Sequence, residues 1–401
     1  MALHFPIARV RAIMARYPRS NDALECAAVQ RLATISQEEA DRIWPELVAH
    51  AVLEPALLPL LWPLPCRQYP ELVPMVRHFA ERAWSPARHA DTEAAGMKWV
   101  IDQGDSARAG SLLNVLLDEL GGMDLAAGEH CQNLARYYVW RDLVVTHLVA
   151  PELVPLQLRL FGLLDMQAQQ WGRPYVAGYA YQGYERLGIA GAKPTQERLE
   201  AYGFLPWLRP DMSVLEIGCN NGFMALEMAR YVQQVDAIEY NPYLVEIGRV
   251  AGEALGQRNV HFEVADFALW RPRQRYHVVL SFANHCTIDG NLAMDFEDFV
   301  AKLWQLTLEG GHVLFESHNV FGPGAGTAGD DGDLDRKFDV VERYFELLDS
   351  KMTRCFVPVH DVDKLFVVLR RRPQILAQTQ RRMQLGEARQ RYEFAGSPFS
   401  A

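Results

Sequence analysis

What the sequence has little of narrows the field first. Cysteine is sparse and scattered: none of Cys26, Cys66, Cys131, Cys219, Cys286 and Cys355 stands in a C-x-x-C pair. That removes the usual zinc and thioredoxin-like readings and leaves reduced thiols in a cytoplasmic protein as the expectation. Long apolar runs are missing too. The most apolar stretch, 53–64, is interrupted by three prolines and is too short for a hydrocarbon core of about 30 Å. The N-terminus sets Arg9, Arg11 and Arg16 among its apolar residues, so it lacks the clean apolar core of a signal peptide. A formal net charge of −10 gives no global attraction to phosphate backbones, which disfavours nucleic acid without forbidding a local basic groove. No internal repeat of the kind a solenoid needs is visible.

What is present is an ordinary globular composition. The chain has 401 residues, 49% hydrophobic and 22% charged, enough for two cores at roughly 100–200 residues per domain. Up to about residue 170, apolar residues recur at three- and four-residue spacing, as in Leu112, Val115, Leu116 and Leu120 and in Leu153, Leu156 and Leu160; this predicts an all-α domain over 1–170. Residues 171–205 interleave glycines with Tyr175, Tyr179, Tyr181 and Tyr184 and read as a linker or lid, in which Thr195 is a plausible helix N-cap. From 206 to 372 short β-branched runs alternate with helical stretches, the grammar of βαβ units. The expected strands are 213–217, 234–239, 260–265, 276–283, 312–317, 353–359 and 364–370. The last two are joined by a short turn and are expected to pair antiparallel at the sheet edge. The Arg- and Gln-rich stretch 373–401 reads as a tail.

The sharpest motif is Val214-Leu215-Glu216-Ile217-Gly218-Cys219-Asn220-Asn221-Gly222, a strand that runs into a glycine-bearing turn opening a helix. Gly218 and Gly222 permit a tight turn and a close backbone approach to a ligand. The G-x-G-x-x-G spacing that seats a dinucleotide pyrophosphate is absent. About 20 residues on, Glu239 ends the second strand, where a carboxylate can accept hydrogen bonds from ribose hydroxyls. Asp266 ends the third strand, where an adenine amino group would need an acceptor.

This constellation resembles the class I S-adenosylmethionine-dependent methyltransferase superfamily. The resemblance implies a Rossmann-like α/β domain with a mostly parallel seven-stranded sheet and an antiparallel edge hairpin, preceded here by the all-α region. It also implies S-adenosyl-L-methionine as cofactor, with Glu216, Gly218, Cys219, Asn220 and Gly222 around its methionine part. Glu239 falls to the ribose, Asp266 and Phe267 to the adenine, and Phe282 and Asn284 to the neighbouring strand end. The lead-in 181–203 resembles that of some bacterial methyltransferases, including the enzyme that carboxymethylates wobble uridine in tRNA. In that comparison Lys193 and Arg198 would grip a carboxylated cofactor, but the expected tryptophan-rich surroundings are missing, which favours ordinary S-adenosylmethionine.

Ligands of open parallel sheets gather at the carboxyl ends of strands. The fourth strand brings Phe282, Asn284, His285, Cys286 and Asp289 to that edge, and the fifth brings Glu316 and His318. Methyl transfer to a hydroxyl needs the nucleophile oriented and its proton removed, a task for a histidine. His285 is the first candidate base, oriented by Asp289 or Glu316, and His318 the second. A cysteine nucleophile is not needed where the cofactor already carries the electrophile. The Gly-rich stretch 322–335 is a candidate lid; its Asp331, Asp333 and Asp335 lack the glycine and closing glutamate of a calcium loop, so no metal is expected. The partner expected from this set is a small-molecule acceptor, foremost a polyhydroxylated metabolite such as a sugar, with no membrane. Two other readings stay open: a tRNA-modifying methyl- or carboxymethyltransferase, suggested by the lead-in and by Arg370, Arg371 and Arg372, and a protein-interaction module with a cofactor-binding domain.

Overall fold

The computed structural model describes residues 27, 28, 30, 31, 34–42, 139, 142, 143, 145–171, 179–191, 193–285, 294–317, 334–354 and 363–379. Most of the expected helical region 1–170 and the tail beyond 379 lie outside these residues. The chain divides into two compact units, one running to Pro194 and the other starting at Thr195. None of the described helices is long and apolar enough to cross a membrane.

In the first unit, helix α1 (Val154–Gln170) buries Leu160, Phe161 and Leu164 on one face, as the three- and four-residue spacing requires. Among the described residues of the Gly- and Tyr-rich stretch, 179–191 are tightly bonded. The Tyr179 hydroxyl donates to Asp142 at 2.5 Å and accepts the Gly191 N–H at 2.9 Å. The Gln157 amide donates to the Thr146 hydroxyl and to the carbonyls of Leu187 and Gly188. Tyr179 and Tyr184 are thereby buried, and Gln182–Gly183 pairs in parallel with Lys193–Pro194.

The second unit is built on seven strands: β1 (Ser213–Ile217), β2 (Gln234–Glu239), β3 (Val260–Val264), β4 (Tyr276–Phe282), β5 (Thr307–Glu316), β6 (Phe345–Arg354) and β7 (Asp363–Arg371). Their order is β3-β2-β1-β4-β5-β7-β6. The first five are parallel, and β7 pairs antiparallel with both β5 and β6. Central β1 is buried from Val214 to Ile217, which is why it reads as a continuous run rather than an alternating one. The connecting helices are α2 (Thr195–Tyr202), α3 (Phe223–Met228), α4 (Pro242–Ala254), α5 (Phe296–Leu306) and α6 (Leu334–Tyr344). Asn241 caps α4 by accepting the N–H groups of Tyr243 and Leu244, with Pro242 following it. Asp295 caps α5 through Asp298. Both follow the rule that a short oxygen-bearing side chain satisfies the first orphan donors of a helix.

Side chains alternate across the sheet. Leu215, Ile217, Val279, Val313 and Phe315 face a core shared with Phe299 of α5 and Phe338 of α6. Glu216, Phe282 and Glu316 have the opposite parity and look toward the side where α2 lies. Two strands differ from expectation. In β5 the pairing jumps from Thr307 opposite Tyr276 to His312 opposite Val278, so residues 308–311 loop out and regular pairing begins at His312, as the sequence suggests. The outermost strand begins at Phe345 instead of Thr353: its register shifts between Leu347 and Asp349, which destroys the period-two pattern that would announce it. Residues 355–359 of the expected strand lie outside the described ones.

Candidate functional site

The turn after β1 passes through three left-handed residues, Gly218, Asn220 and Gly222. Gly218 has φ +64° and Asn220 φ +52°, the second being a residue type that tolerates this region. Gly218 is exposed at the strand end, and a Cβ there would stand 3.2 Å from that of Asn284. Gly222 serves a different purpose from the ligand approach expected of it. It is buried with φ +76°, and a Cβ would come within 2.4 Å of the Phe262 ring and 3.3 Å of Gly248 Cα, so glycine there lets α3 pack against α4 and β3. Cys219 is fully buried and its N–H bonds the Ile238 carbonyl. Burial pushes its thiol well above the ordinary range, which removes it as a nucleophile.

Glu239 fastens this turn to the end of β2. One carboxylate oxygen accepts the Asn220 N–H at 2.9 Å and the other the Asn241 N–H at 3.0 Å. A carboxylate has about four acceptor positions, so two backbone bonds orient it without exhausting it. Asp266, half-buried, lies just beyond β3 and accepts the Ala268 N–H at 2.8 Å. Phe267, expected beside the adenine, is buried instead against Phe299, where an apolar ring loses least. Gly218, Glu239 and Asp266 thus stand at the carboxyl ends of three adjacent strands.

Behind the turn, Glu216 is 3% exposed. Its carboxyl is pushed up to about 8, first by loss of hydration and further by Glu239, against the opposing pull of Arg198 and an Ala225 hydrogen bond. Arg198, from α2, donates to Glu316 at 2.7 Å in a pair 4% and 0% exposed. Its guanidinium also lies over the rings of Tyr202 and Phe282. Tyr202 stacks on Phe366 at 4.6 Å, and burial, then the Glu316 charge, raises its phenol well above the usual value. The sequence offered Glu316 as a partner for His285 and weighed Arg198 only for a carboxylated cofactor; the structure brings the two to each other. Their separation of 118 residues left no sequence signal for it.

At the end of β4, Ala283 takes φ +52°. Asn284 then braces two strands, donating to the Ile217 carbonyl and accepting from Ser281. His285 is 8% exposed and packs against Phe315 at 4.9 Å and Phe296 at 5.4 Å. Phe315 and Glu316 are consecutive strand residues and so point to opposite faces. His285 therefore lies across β5 from Glu316, which does not orient it. Asp289 and His318 lie outside the described residues. A cavity of about 250 Å³ lined by Asp236, His261, Trp270 and Tyr276 centres on mid-strand positions, away from the strand ends that carry Gly218 and Glu239.

Comparison with known proteins agrees with this geometry. The profile of a methyltransferase domain matches residues 192–366. Those residues form a class I S-adenosylmethionine-dependent methyltransferase domain. A curated protein-L-isoaspartate O-methyltransferase from Picosynechococcus is 35% identical to the chain over 74 residues, 18% of this chain; the match spans only about a third (33%) of that relative's length. Solved structures similar to the domain include the N-methyltransferase NodS from Bradyrhizobium japonicum, at 16% identity and TM-score 0.36 over 45% of this chain and 89% of that one. Another is the YcgJ protein from Bacillus subtilis, at 14% identity and TM-score 0.35 over 43% and 98%.

S-adenosyl-L-methionine is the cofactor this methyltransferase domain implies, and its residues fit that group. Buried polar atoms are almost always paired. Here Glu216 Oε2 and both polar atoms of the Asn221 side chain have no hydrogen-bond partner, and all three belong to the segment that forms the Gly218 turn. A cofactor with an amino-acid end supplies the donors and acceptors such atoms need.

Proposed function

We propose that the chain transfers the methyl group of S-adenosylmethionine to a hydroxyl of a small polyhydroxylated acceptor such as a sugar. The observation that carries the cofactor half is the alignment of the open Gly218 turn, Glu239 and Asp266 at the carboxyl ends of β1, β2 and β3. The methionine part is received at Gly218 with Glu216 and Asn221 behind it. Glu239, held by two backbone N–H groups, accepts from the ribose hydroxyls, and Asp266 accepts from the adenine amino group. The cofactor supplies a methyl group already activated on a sulfonium, so the protein's own task is to orient the acceptor and take its proton.

His285 is the base in this reading. Its backbone follows the left-handed Ala283 at the end of β4, and the rings of Phe296 and Phe315 fix its imidazole. The acidic overall charge suits a small neutral acceptor better than a polyanion. Calorimetric titration with S-adenosylmethionine, followed by a screen of sugar and polyol acceptors with labelled cofactor, tests both halves. Glu239→Ala is expected to lose roughly 1.5–3 kcal/mol of cofactor binding, the worth of hydrogen bonds to a charged group. His285→Asn is expected to keep cofactor affinity and lose about 10²–10⁴ in turnover. Absence of cofactor binding by the wild type would sink the first half, and full turnover by the histidine variant the second.

A further inference from the structure

The connection from β3 to β4, residues 265–275, contains no helix, so neither a helical ladder nor a packed helix face holds the turn on which Asp266 sits. Three of its N–H groups find partners on Asp266. Ala268 donates to the Asp266 carboxylate, and Leu269 and Trp270 donate to the Asp266 carbonyl at 3.1 and 2.8 Å. The remaining carbonyls have to be satisfied from outside the turn. Three of them converge on one side chain: Lys302, from the middle of α5, donates to the carbonyl of Phe267, to that of Trp270 at 2.9 Å and to that of Ala268 at 3.3 Å. Its ammonium also stands 4.5 Å from the centre of the Phe267 ring.

We infer that Lys302 is a positioning residue for the adenine end of the cofactor site, gathering three carbonyls of the 266–270 turn so that Asp266 presents its carboxylate to the base. An ammonium has three donors and no acceptor, and here three carbonyls take them. A lysine on a solvated helix face would keep its many rotamers; this one is committed to a single turn. The charges facing it are Asp266, which favours the ammonium, and Arg271, which opposes it. Burial is the larger influence and lowers its proton affinity. Methionine would keep the stem and remove every donor, leaving the carbonyls to find new partners and the turn to relax. Arginine would keep the charge and offer donors to the same carbonyls.

The inference rests on the reading of Asp266 as the adenine acceptor, so the experiment separates the two. Affinities for S-adenosylhomocysteine and for its deaminated analogue, S-inosylhomocysteine, are measured calorimetrically near pH 7.5 with wild type, Asp266→Ala, Lys302→Met and Lys302→Arg. The wild type is expected to prefer the adenine ligand by roughly ten-fold or more, because the analogue offers a carbonyl where the carboxylate needs a donor. Lys302→Met is expected to weaken the adenine ligand about ten-fold and the analogue less than about three-fold, collapsing that ratio, while Lys302→Arg recovers most of it. A merely structural role would weaken both ligands equally. If Asp266→Ala leaves the ratio unchanged, the Asp266 reading fails; if it collapses the ratio and Lys302→Met does not, the inference about Lys302 fails alone. Should Lys302→Met not fold, Lys302→Gln, which keeps a shorter stem and offers two donors in place of three, is measured in its place with the same two ligands. An adenine preference as large as the wild type's would overturn the inference.

Discussion

Replacing Glu216 by glutamine is expected to strengthen the fold, and to do so more as pH rises. The carboxyl ionises near 4.5 when solvated and near 8 in the folded chain. Between those values the folded state therefore holds a proton that the unfolded state has released. Raising the pH in that window favours unfolding, at about 1.4 kcal/mol per pH unit. The stabilising contribution is intact below 4.5 and disappears as pH passes 8. From pH 5 to pH 7.5 the wild type should lose about 3 kcal/mol through this group, a figure that relaxation of the buried site would reduce. Glutamine keeps the shape, carries no proton to lose, and should remove that slope. Urea denaturation of the full-length chain at pH 5, 6.5 and 7.5, without cofactor, reads the difference between wild type and Glu216→Gln. A difference that stays constant across the three pH values, or a variant uniformly weaker than wild type, would refute the reasoning. The second result would mean that Arg198 holds Glu216 ionised and that glutamine breaks an ion pair.

Two further expectations concern packing and charge in the same domain. Gly222→Ala should cost about 2–4 kcal/mol, combining a left-handed backbone with a methyl group driven into the Phe262 ring. Gly256→Ala, at φ +66° but with nothing within 4 Å of the new Cβ, should cost only about 1–2 kcal/mol; equal melting temperatures for the two variants would contradict the packing argument. Arg198→Met should cost about 3–5 kcal/mol by leaving the 0% exposed Glu316 without its cation, and adding Glu316→Gln should restore part of it. Additive losses in chemical denaturation would show that the pair does not act as a unit.

Much of the domain was legible because its strands obey local rules. Ser213–Ile217 is a largely buried run and Gln234–Glu239 a partly buried one, each bounded by turn formers, and both match the ranges expected from sequence. The positions of Gly218, Glu239 and Asp266 at strand ends were legible because the strands themselves were, and strand ends are where an open parallel sheet gathers its ligand contacts. What escaped depends on contacts distant in the chain or on broken periodicity. The pairing of Arg198 with Glu316 joins α2 to β5, Lys302 reaches from α5 to a turn some 32–35 residues earlier, and the register shift near Leu347 hides the start of β6. Gly222 was singled out correctly as a place where only glycine fits, but the neighbour requiring it is Phe262 rather than a ligand. Sequence spacing alone cannot tell those two demands apart.

The separation of Glu316 from His285 was within reach of parity. Phe315 reads as a core residue and Glu316 follows it, so on a regular strand the carboxylate must leave by the other face. The consequence is a functional division of the sheet edge. On the α2 side, the buried Glu216 carboxyl, Arg198–Glu316 pair and Tyr202 ring, with the half-buried Phe282, form a charged and aromatic layer next to the Gly218 turn. On the α5 side, His285 sits with Phe296 and Phe315, and Lys302 of α5 bonds the carbonyls of the 266–270 turn. A single helix, α5, thus bears on both the candidate base and the candidate adenine acceptor. In the proposed reading, a shift of that helix would be felt at the base and at the adenine contact at once, which ties the geometry of methyl transfer to the geometry of cofactor binding through one element.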